Sequence, residues 1–265
     1  MSERIRIFVG CSPNNEDLES QSVLEWSLRK HHPADDLDIE WMQLSRDQQS
    51  FWHSDPSKGR GWNTANWSTP FSGFRWAVPA ACGYQGKAIY LDSDMISRAD
   101  IADLWNQKFN SHAVAISKAA HQRFCVSLFD CERMQKFVPS IDDLRRDPQL
   151  FRHARSRLTG SLVQQFQGNW NCMDDELGNY DRLDHPDIKM IHYTVIPTQV
   201  HLKHSLPRLI AEGGWHWYTG RPQKHPRQDL QDLFDALLIE ATANGYGIER
   251  YRKEPFGDYR IRWAA

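Results

Sequence analysis

Between residues 5 and 41 the hydrophobic period changes from strand to helix and back, and that order of elements limits the folds open to the chain. Ile5-Arg6-Ile7-Phe8-Val9 is an apolar run that stops at the turn formers Gly10-Cys11-Ser12-Pro13-Asn14-Asn15. Asn14 or Asn15 is placed to cap a helix with an acidic first turn (Glu16, Asp17) and with apolar Leu18, Val23, Leu24 and Leu28 on the way to Lys30. Leu37, Ile39 and Trp41 then alternate with Asp38 and Glu40, the period of a strand. A β-α-β opening implies a parallel sheet covered by helices, and so an α/β fold.

The same logic singles out Ala88-Ile89-Tyr90-Leu91, a short continuous apolar run of the kind buried on both faces, which ends in Asp92-Ser93-Asp94. Side chains two apart on an extended segment point the same way, so Asp92 and Asp94 can aim two carboxylates into one crevice at the carboxyl end of a strand, where open parallel sheets bind ligands. Two hard oxygen ligands suit Mg²⁺ or Mn²⁺ on a diphosphate. The bland alternative is a strand-ending turn. Asp36-Leu37-Asp38 has the same spacing but precedes its strand, at the wrong end, and reads as a solvated turn. His192 closes another apolar strand, Ile188 to Tyr193, and is a candidate third ligand; an imidazole among carboxylates biases a site towards Mn²⁺. Against that, the chain has twelve histidines, and a lone one is more often a hydrogen-bonded core residue.

Residues 45 to 68 hold no sustained period and read as a long functional loop. Ser68-Thr69-Pro70 looks like a helix start, with Phe71, Phe74 and Val78 on one face and Arg75 off it. Ala113 to Ser117 and Phe124 to Phe129 are further strands, and Pro139 to Gln167 is helical in pieces. Leu230, Leu233, Phe234, Leu237, Leu238 and Ala241 form a helical stripe with Gly245 at its end. The expected organisation is one main domain over 1–205 and a C-terminal extension over 206–265.

Composition narrows the partners. The 32 Lys and Arg against 34 Asp and Glu leave a formal charge of -2, which gives no electrostatic footprint for nucleic acid. No window approaches the roughly 18 apolar residues of a membrane span, and the N-terminus carries no signal-peptide core, so a cytoplasmic location is expected. Five cysteines without CxxC spacing fit reduced thiols. Seven aromatics between Phe51 and Trp76 can form a platform for sugar rings, although ordinary packing explains most such clusters.

Segment 70 to 105, PFSGFRWAVPAACGYQGKAIYLDSDMISRADIADLW, resembles the donor-binding core of the family eight glycosyltransferases of the galactosyltransferase and glycogenin type. Segment 188 to 204, IKMIHYTVIPTQVHLKH, is similar to that family's later His motif, HxxGxxKPW. The resemblance implies a GT-A fold over most of residues 5 to 205, with a Rossmann-like, mostly parallel sheet. It implies that Cys11, Ser12 and Asn15 line a nucleoside, that Arg75 approaches the donor, and that Asp92, Asp94 and His192 bind Mn²⁺ through the DxD motif and the histidine. Asn169-Trp170-Asn171-Cys172-Met173-Asp174-Asp175 stands where the family's donor-sugar segment falls, which makes Asn171 and Asp174 candidates for catalysis; the alternative is that they cap the next turn. The lysine of the His motif is Thr198 here, and Lys203 or His201 is the candidate replacement.

The leading expectation is therefore a metal-dependent glycosyltransferase that moves a sugar from a nucleotide sugar, a UDP-sugar by resemblance, to a carbohydrate or glycoconjugate acceptor with retention. A phosphohydrolase with an aspartyl nucleophile is the rival enzyme, since a strand ending in Asp-x-Asp also begins such folds. A carbohydrate-binding protein on a degenerate transferase fold is the third reading, motivated by Thr198.

Overall fold

A computed structural model describes residues 4–118 and 123–259. The chain opens with β1 (Ile5–Gly10), α1 (Leu18–His31) and β2 (Leu37–Met42), as the periods require. A small hairpin, β3 (Ser54–Asp55) and β4 (Arg60–Gly61), and the short α2 (Val78–Ala81) lead to β5 (Lys87–Asp92) and β6 (Met95–Ser97). Then come α3 (Ala102–Trp105), β7 (Ala115–Lys118), β8 (Arg123–Asp130), α4 (Cys131–Met134), α5 (Ile141–Arg146) and α6 (Leu150–Arg157). The rest comprises β9 (Val163–Gln165), β10 (Cys172–Met173), α7 (Asp174–Leu177), β11 (Met190–His192), α8 (Leu202–Ala211) and α9 (Gln228–Ala243).

Six strands form the central sheet in the order β2-β1-β5-β8-β7-β9. All neighbours are parallel except β8, which runs against both β5 and β7. Alternation along the strands divides the core. Ile7, Val9, Ile89 and Leu91 face α1 through Leu24 and Leu28, whereas Phe8 and Tyr90 face Trp52, Trp62 and Phe74. Each such side chain, fully buried, contributes about 1.5–3 kcal/mol of transfer free energy. β1 ends in Gly10 for a steric reason: a Cβ there would meet Phe71 and the Tyr90 hydroxyl at 2.8 Å.

A smaller sheet, β10-β11-β6, carries the chain from β5 to the histidine. β11 pairs antiparallel with β6, with His192 opposite Met95, and Tyr193 N–H donates to the Asp94 carbonyl at 3.1 Å. That register brings a strand end one hundred residues downstream in the fold to the side of Asp94.

Three local expectations need correction. Asp17, not Asn14 or Asn15, precedes α1, and its carboxylate makes no cap because it turns back to Ser12 and Ser93. The helix expected from Pro70 is a run of turns, a 3-10 turn over Phe74–Ala77 and then α2, because Gly73 packs against the Trp67 ring and Pro79 only fits a first turn. Phe71, Phe74 and Val78 are nonetheless buried, as the pattern requires. The aromatic run is core before it is surface: Trp52 and Trp62 stack at 5.9 Å and are buried, with Phe74 edge-on to both. Only Phe71 and Trp76 of that run also reach the cavity described below.

α9 lays Leu230, Phe234 and Leu237 against Val23 of α1, and Gly245 ends it at φ 84°. α8 runs through position 205 without a break. Among the described residues no helix is long and apolar enough to cross a membrane. All five cysteines are free thiols.

Candidate functional site

A cavity of about 480 Å³ opens at the carboxyl ends of β1 and β5, between the loop after β1 and the loop after β11. Parallel pairing sets Gly10 beside Asp92, so both loops border one crevice. Asp92, Asp94 and His192 all line it.

Asp92 is fixed by its neighbours. Its Oδ1 accepts from the Tyr90 hydroxyl at 2.5 Å and from Arg75 Nη2 at 3.2 Å. The Arg75 guanidinium also lies 4.8 Å over the Tyr90 ring and 3.6 Å from Cys125 Sγ. Burial works against its charge, but Tyr90, Asp92 and Cys125 outweigh that and keep its pKa above the usual value. Asp92 Oδ2 remains, 3.8 Å from His192 Nε2.

Asp94 Oδ2 accepts from Gln199 Nε2 at 2.5 Å, whereas Oδ1 is buried without a hydrogen-bond partner and lies 3.3 Å from His192 Nε2. Burial raises the Asp94 pKa, partly offset by His192. Burial alone would lower that of His192, but Asp94 and then Asp92 hold it above the ordinary imidazole value. Nδ1 of His192 faces Asn171 Oδ1 at 2.8 Å, and an amide oxygen can only accept. Nδ1 therefore carries a proton, and the raised pKa favours a second proton on Nε2, directed at the two carboxylates; a bound cation would take that proton's place and leave Nε2 to ligate. Two carboxylates and this ring nitrogen converge, and Asp94 Oδ1 has no hydrogen-bond partner. A divalent cation fits that donor set, two hard oxygens and one imidazole nitrogen.

By distance alone a tighter group is Asp92, Cys125 and His192, whose ligand atoms lie within 4.8 Å of one another. Burial raises the Cys125 pKa to about 12, so it stays a thiol, a poor ligand for a hard cation. Asp94 is the better third ligand on chemical grounds.

A second cluster lies on the β1 side, with Asp17, His201 and His216 within 4.8 Å of one another. His201 Nε2 and His216 Nε2 are both buried without partners. Burial lowers the His201 pKa to about 3 and that of His216 to about 4, so both rings are neutral. His216 Nδ1 accepts the Tyr218 N–H at 2.9 Å, which puts its proton on Nε2. That nitrogen donates and cannot ligate a metal, so the cluster offers a carboxylate acceptor beside an N–H donor. Asp17 is held by Ser12 N–H at 2.7 Å and Ser93 Oγ at 3.1 Å, and Trp217 Nε1 donates to Ser12 Oγ at 2.9 Å.

Of the residues expected from sequence, Ser12, Arg75, Asp92, Asp94 and His192 line the cavity, as does His201. Others do not. Cys11 is buried in the core behind β1, its thiol on the Val9 carbonyl. Asn15, at φ 62°, spends its side chain on the Lys253 backbone. Lys203 is an exposed residue of α8 paired with Asp235 of α9 at 2.5 Å and is not among the residues that line the cavity. Asn171 lies behind His192 and orients it. Asp174 Oδ2 accepts from the N–H groups of Thr194 and Val195 and from Thr194 Oγ1, so it anchors the loop after His192. His225 lies 3.2 Å from its other oxygen. Asp17, Gln199, His216 and Trp217 are among the cavity residues that sequence reasoning missed. Asp17 reads as a helix-start acid, and Gln199, His216 and Trp217 fall in segments with no sustained period.

In fold, the chain is similar to the galactosyltransferase LgtC, solved in complex with donor and acceptor sugar analogues, at TM-score 0.53 and 12% identity over 89% of this chain and 96% of that one. It is similar to the apo-form glycosyltransferase GlyE of Streptococcus pneumoniae TIGR4 at TM-score 0.54 and 13% identity, over 93% of this chain and 65% of that one. The bifunctional glycosyltransferase WbbM matches at TM-score 0.48 and 13% identity over 73% of this chain, which spans 46% of that protein's length. No family profile matches the chain, and no curated protein matches its sequence. The fold is GT-A, a mainly parallel central sheet flanked by helices.

Proposed function

We propose that the protein is a metal-dependent glycosyltransferase that uses Asp92, Asp94 and His192 to hold Mn²⁺, or Mg²⁺, against the diphosphate of a nucleotide sugar. The observation that carries this is the buried, unpartnered Asp94 Oδ1 beside His192 Nε2 at the strand-end cavity of a GT-A fold. A bound divalent cation offsets the negative charge that grows on the departing diphosphate. Tyr90 and Arg75 keep Asp92 in one rotamer, and Gln199 does the same for Asp94.

A UDP-sugar is the donor we favour. Asp17 accepts and His216 Nε2–H donates at the end of β1, and uracil offers an imide N–H beside carbonyl oxygens. Cytosine offers the reverse at its ring nitrogen. In the transfer the bond from the anomeric carbon to the phosphate oxygen breaks, the acceptor hydroxyl oxygen bonds to that carbon, and the hydroxyl proton leaves with the phosphate. Retention is supported by the acids of the cavity wall. Among the described residues these are Asp17, Asp92 and Asp94, and none is spare to act as the base of an inverting attack. Asp92 Oδ1, occupied by Tyr90 and Arg75, is also a poor aspartyl nucleophile, which disfavours a phosphohydrolase. Membership of family eight, a catalytic unit over about residues 1–205 whose last helix, α8, runs on to Ala211 before the C-terminal extension, and a reducing, cytoplasmic setting suited to five free thiols complete the proposal.

Thermal melting with a panel of nucleotide sugars tests it, because a ligand at one hundred times its Kd stabilises by about 2.7 kcal/mol. UDP-sugars should raise Tm with Mn²⁺ and not with EDTA. No Mn²⁺-dependent shift from any nucleotide sugar would overturn the proposal.

A further inference from the structure

The far rim of the cavity has the opposite charge from its floor. The floor carries the carboxylates of Asp17, Asp92 and Asp94; the rim carries Arg123, at the start of β8, and Arg155, on α6. α6 reads LFRHARSR, with three arginines and one histidine and no acid. Several arginines elsewhere are held by acids. Arg29 meets Glu25 at 2.8 Å, Arg208 meets Glu19 at 2.7 Å, and Arg252 meets Glu212 at 2.9 Å. Among the described residues the side chains of Arg123 and Arg155 have no such partner. Unpaired cations at a cavity mouth, in a chain of formal charge -2, are ready for an anion brought from outside.

Two phenylalanines share that rim. Phe124 is buried and Phe151 half-buried, and both line the cavity beside the arginines. An aromatic ring packs against the C–H face of a sugar, and a planar guanidinium takes a carboxylate or phosphate through two parallel N–H bonds. A neutral saccharide offers the guanidinium groups only hydroxyl oxygens, which are weaker acceptors than an oxyanion and do not match the two-pronged geometry.

We propose that the acceptor is an anionic saccharide, one that bears a carboxylate or a phosphate, and that Arg123 and Arg155 hold its oxyanion while Phe124 and Phe151 hold its ring. This rests on the transferase reading of the cavity and names its second substrate. The acidic group anchors the acceptor at the rim and directs a hydroxyl towards the floor, where the anomeric carbon of the donor lies.

Saturation-transfer and titration NMR test this on the full chain with Mn²⁺ and UDP present. The probes are lactose as the neutral saccharide, sialyllactose as the carboxylate and glucose 6-phosphate as the phosphate; vesicles of phosphatidylglycerol are the non-saccharide anion. At least one acidic sugar should bind about tenfold or more tightly than lactose, the scale of a charge-assisted hydrogen bond, and its affinity should fall as salt rises. Arg155→Gln and Arg123→Gln should each remove most of that preference and leave the Kd for Mn²⁺-dependent UDP binding unchanged. Equal binding of lactose and both acidic sugars, or no binding of either acidic sugar, overturns the inference. So does a matching loss of UDP affinity in the variants, which would give the arginines to the donor, or an arginine-dependent preference for the vesicles over both acidic sugars. Absence of Mn²⁺-dependent UDP binding by the unaltered protein would instead overturn the transferase reading itself.

Discussion

Asn171 Oδ1 lies 2.8 Å from His192 Nδ1, with both side chains buried, and this contact decides which imidazole nitrogen faces the carboxylates. Asn171→Leu removes the acceptor and lets the ring tilt or change tautomer. Affinity for Mn²⁺ in the presence of UDP should fall by about 10- to 100-fold, the usual scale for the partner behind a metal ligand, whereas Asn171→Asp should stay near the parent. Calorimetric titration with Mn²⁺ reads both, and unchanged affinity in Asn171→Leu would make the contact incidental.

Arg75 and Asp92 form a pair within the cavity floor, with side-chain exposures of 12% and 9%. Removal of one partner leaves a buried charge unmatched, so Arg75→Met should cost about 3–5 kcal/mol of folding stability. Urea denaturation without metal measures it, and a cost below about 1 kcal/mol, the scale of a surface pair, would show that Asp92 is solvated there.

Glu16 is buried behind the loop after β1, and burial together with Asp17 raises its pKa from 4.5 to about 8. The folded state therefore holds this proton more tightly than the unfolded chain. Its contribution to stability is complete below pH 4.5 and is lost as pH rises to about 8. Glu16→Gln keeps the shape without the charge. Its stability relative to the parent should rise by a few kcal/mol, in order of magnitude, across that window and level off above it. Paired melting curves at acid and alkaline pH decide the matter, and a difference independent of pH would contradict the buried carboxyl.

Trp62 is fully buried, stacks on Trp52 and donates its indole N–H to the Phe51 carbonyl at 2.8 Å. Trp62→Ala should destabilise the fold by about 3–5 kcal/mol, as large-to-small changes in a packed core do. If the variant kept its stability and lost only saccharide binding, the aromatic run would be a platform after all.

The sequence made the sheet and the crevice legible because both rest on local periods: buried runs at β1 and β5, and a strand that ends in Asp92-Ser93-Asp94. His192 was legible as a strand-end histidine, and its place beside Asp94 follows from the pairing of β11 with β6. What stayed hidden depends on side-chain direction. Cys11 and Asn15 sit in the right loop but point into the core and towards Lys253, and Asp174 sits near the site but serves the backbone of Thr194 and Val195. Lys203 has the right charge and spends it on Asp235. Trp217 and His216 reach the cavity from a segment with no period at all, where only the tertiary path of the chain decides what a residue touches.

The central claim is that Asp94 completes a cation site on which nucleotide binding depends. Its most direct test is calorimetric titration of UDP into the parent protein and into Asp94→Asn, each with Mn²⁺ and with EDTA. Asp94→Asn keeps the shape and the acceptor for Gln199 but removes the charge beside His192. The account predicts that the parent binds UDP with Mn²⁺ and loses that binding in EDTA, and that the variant binds weakly in both. UDP bound equally well by parent and variant, or equally well by the parent with and without Mn²⁺, would contradict it.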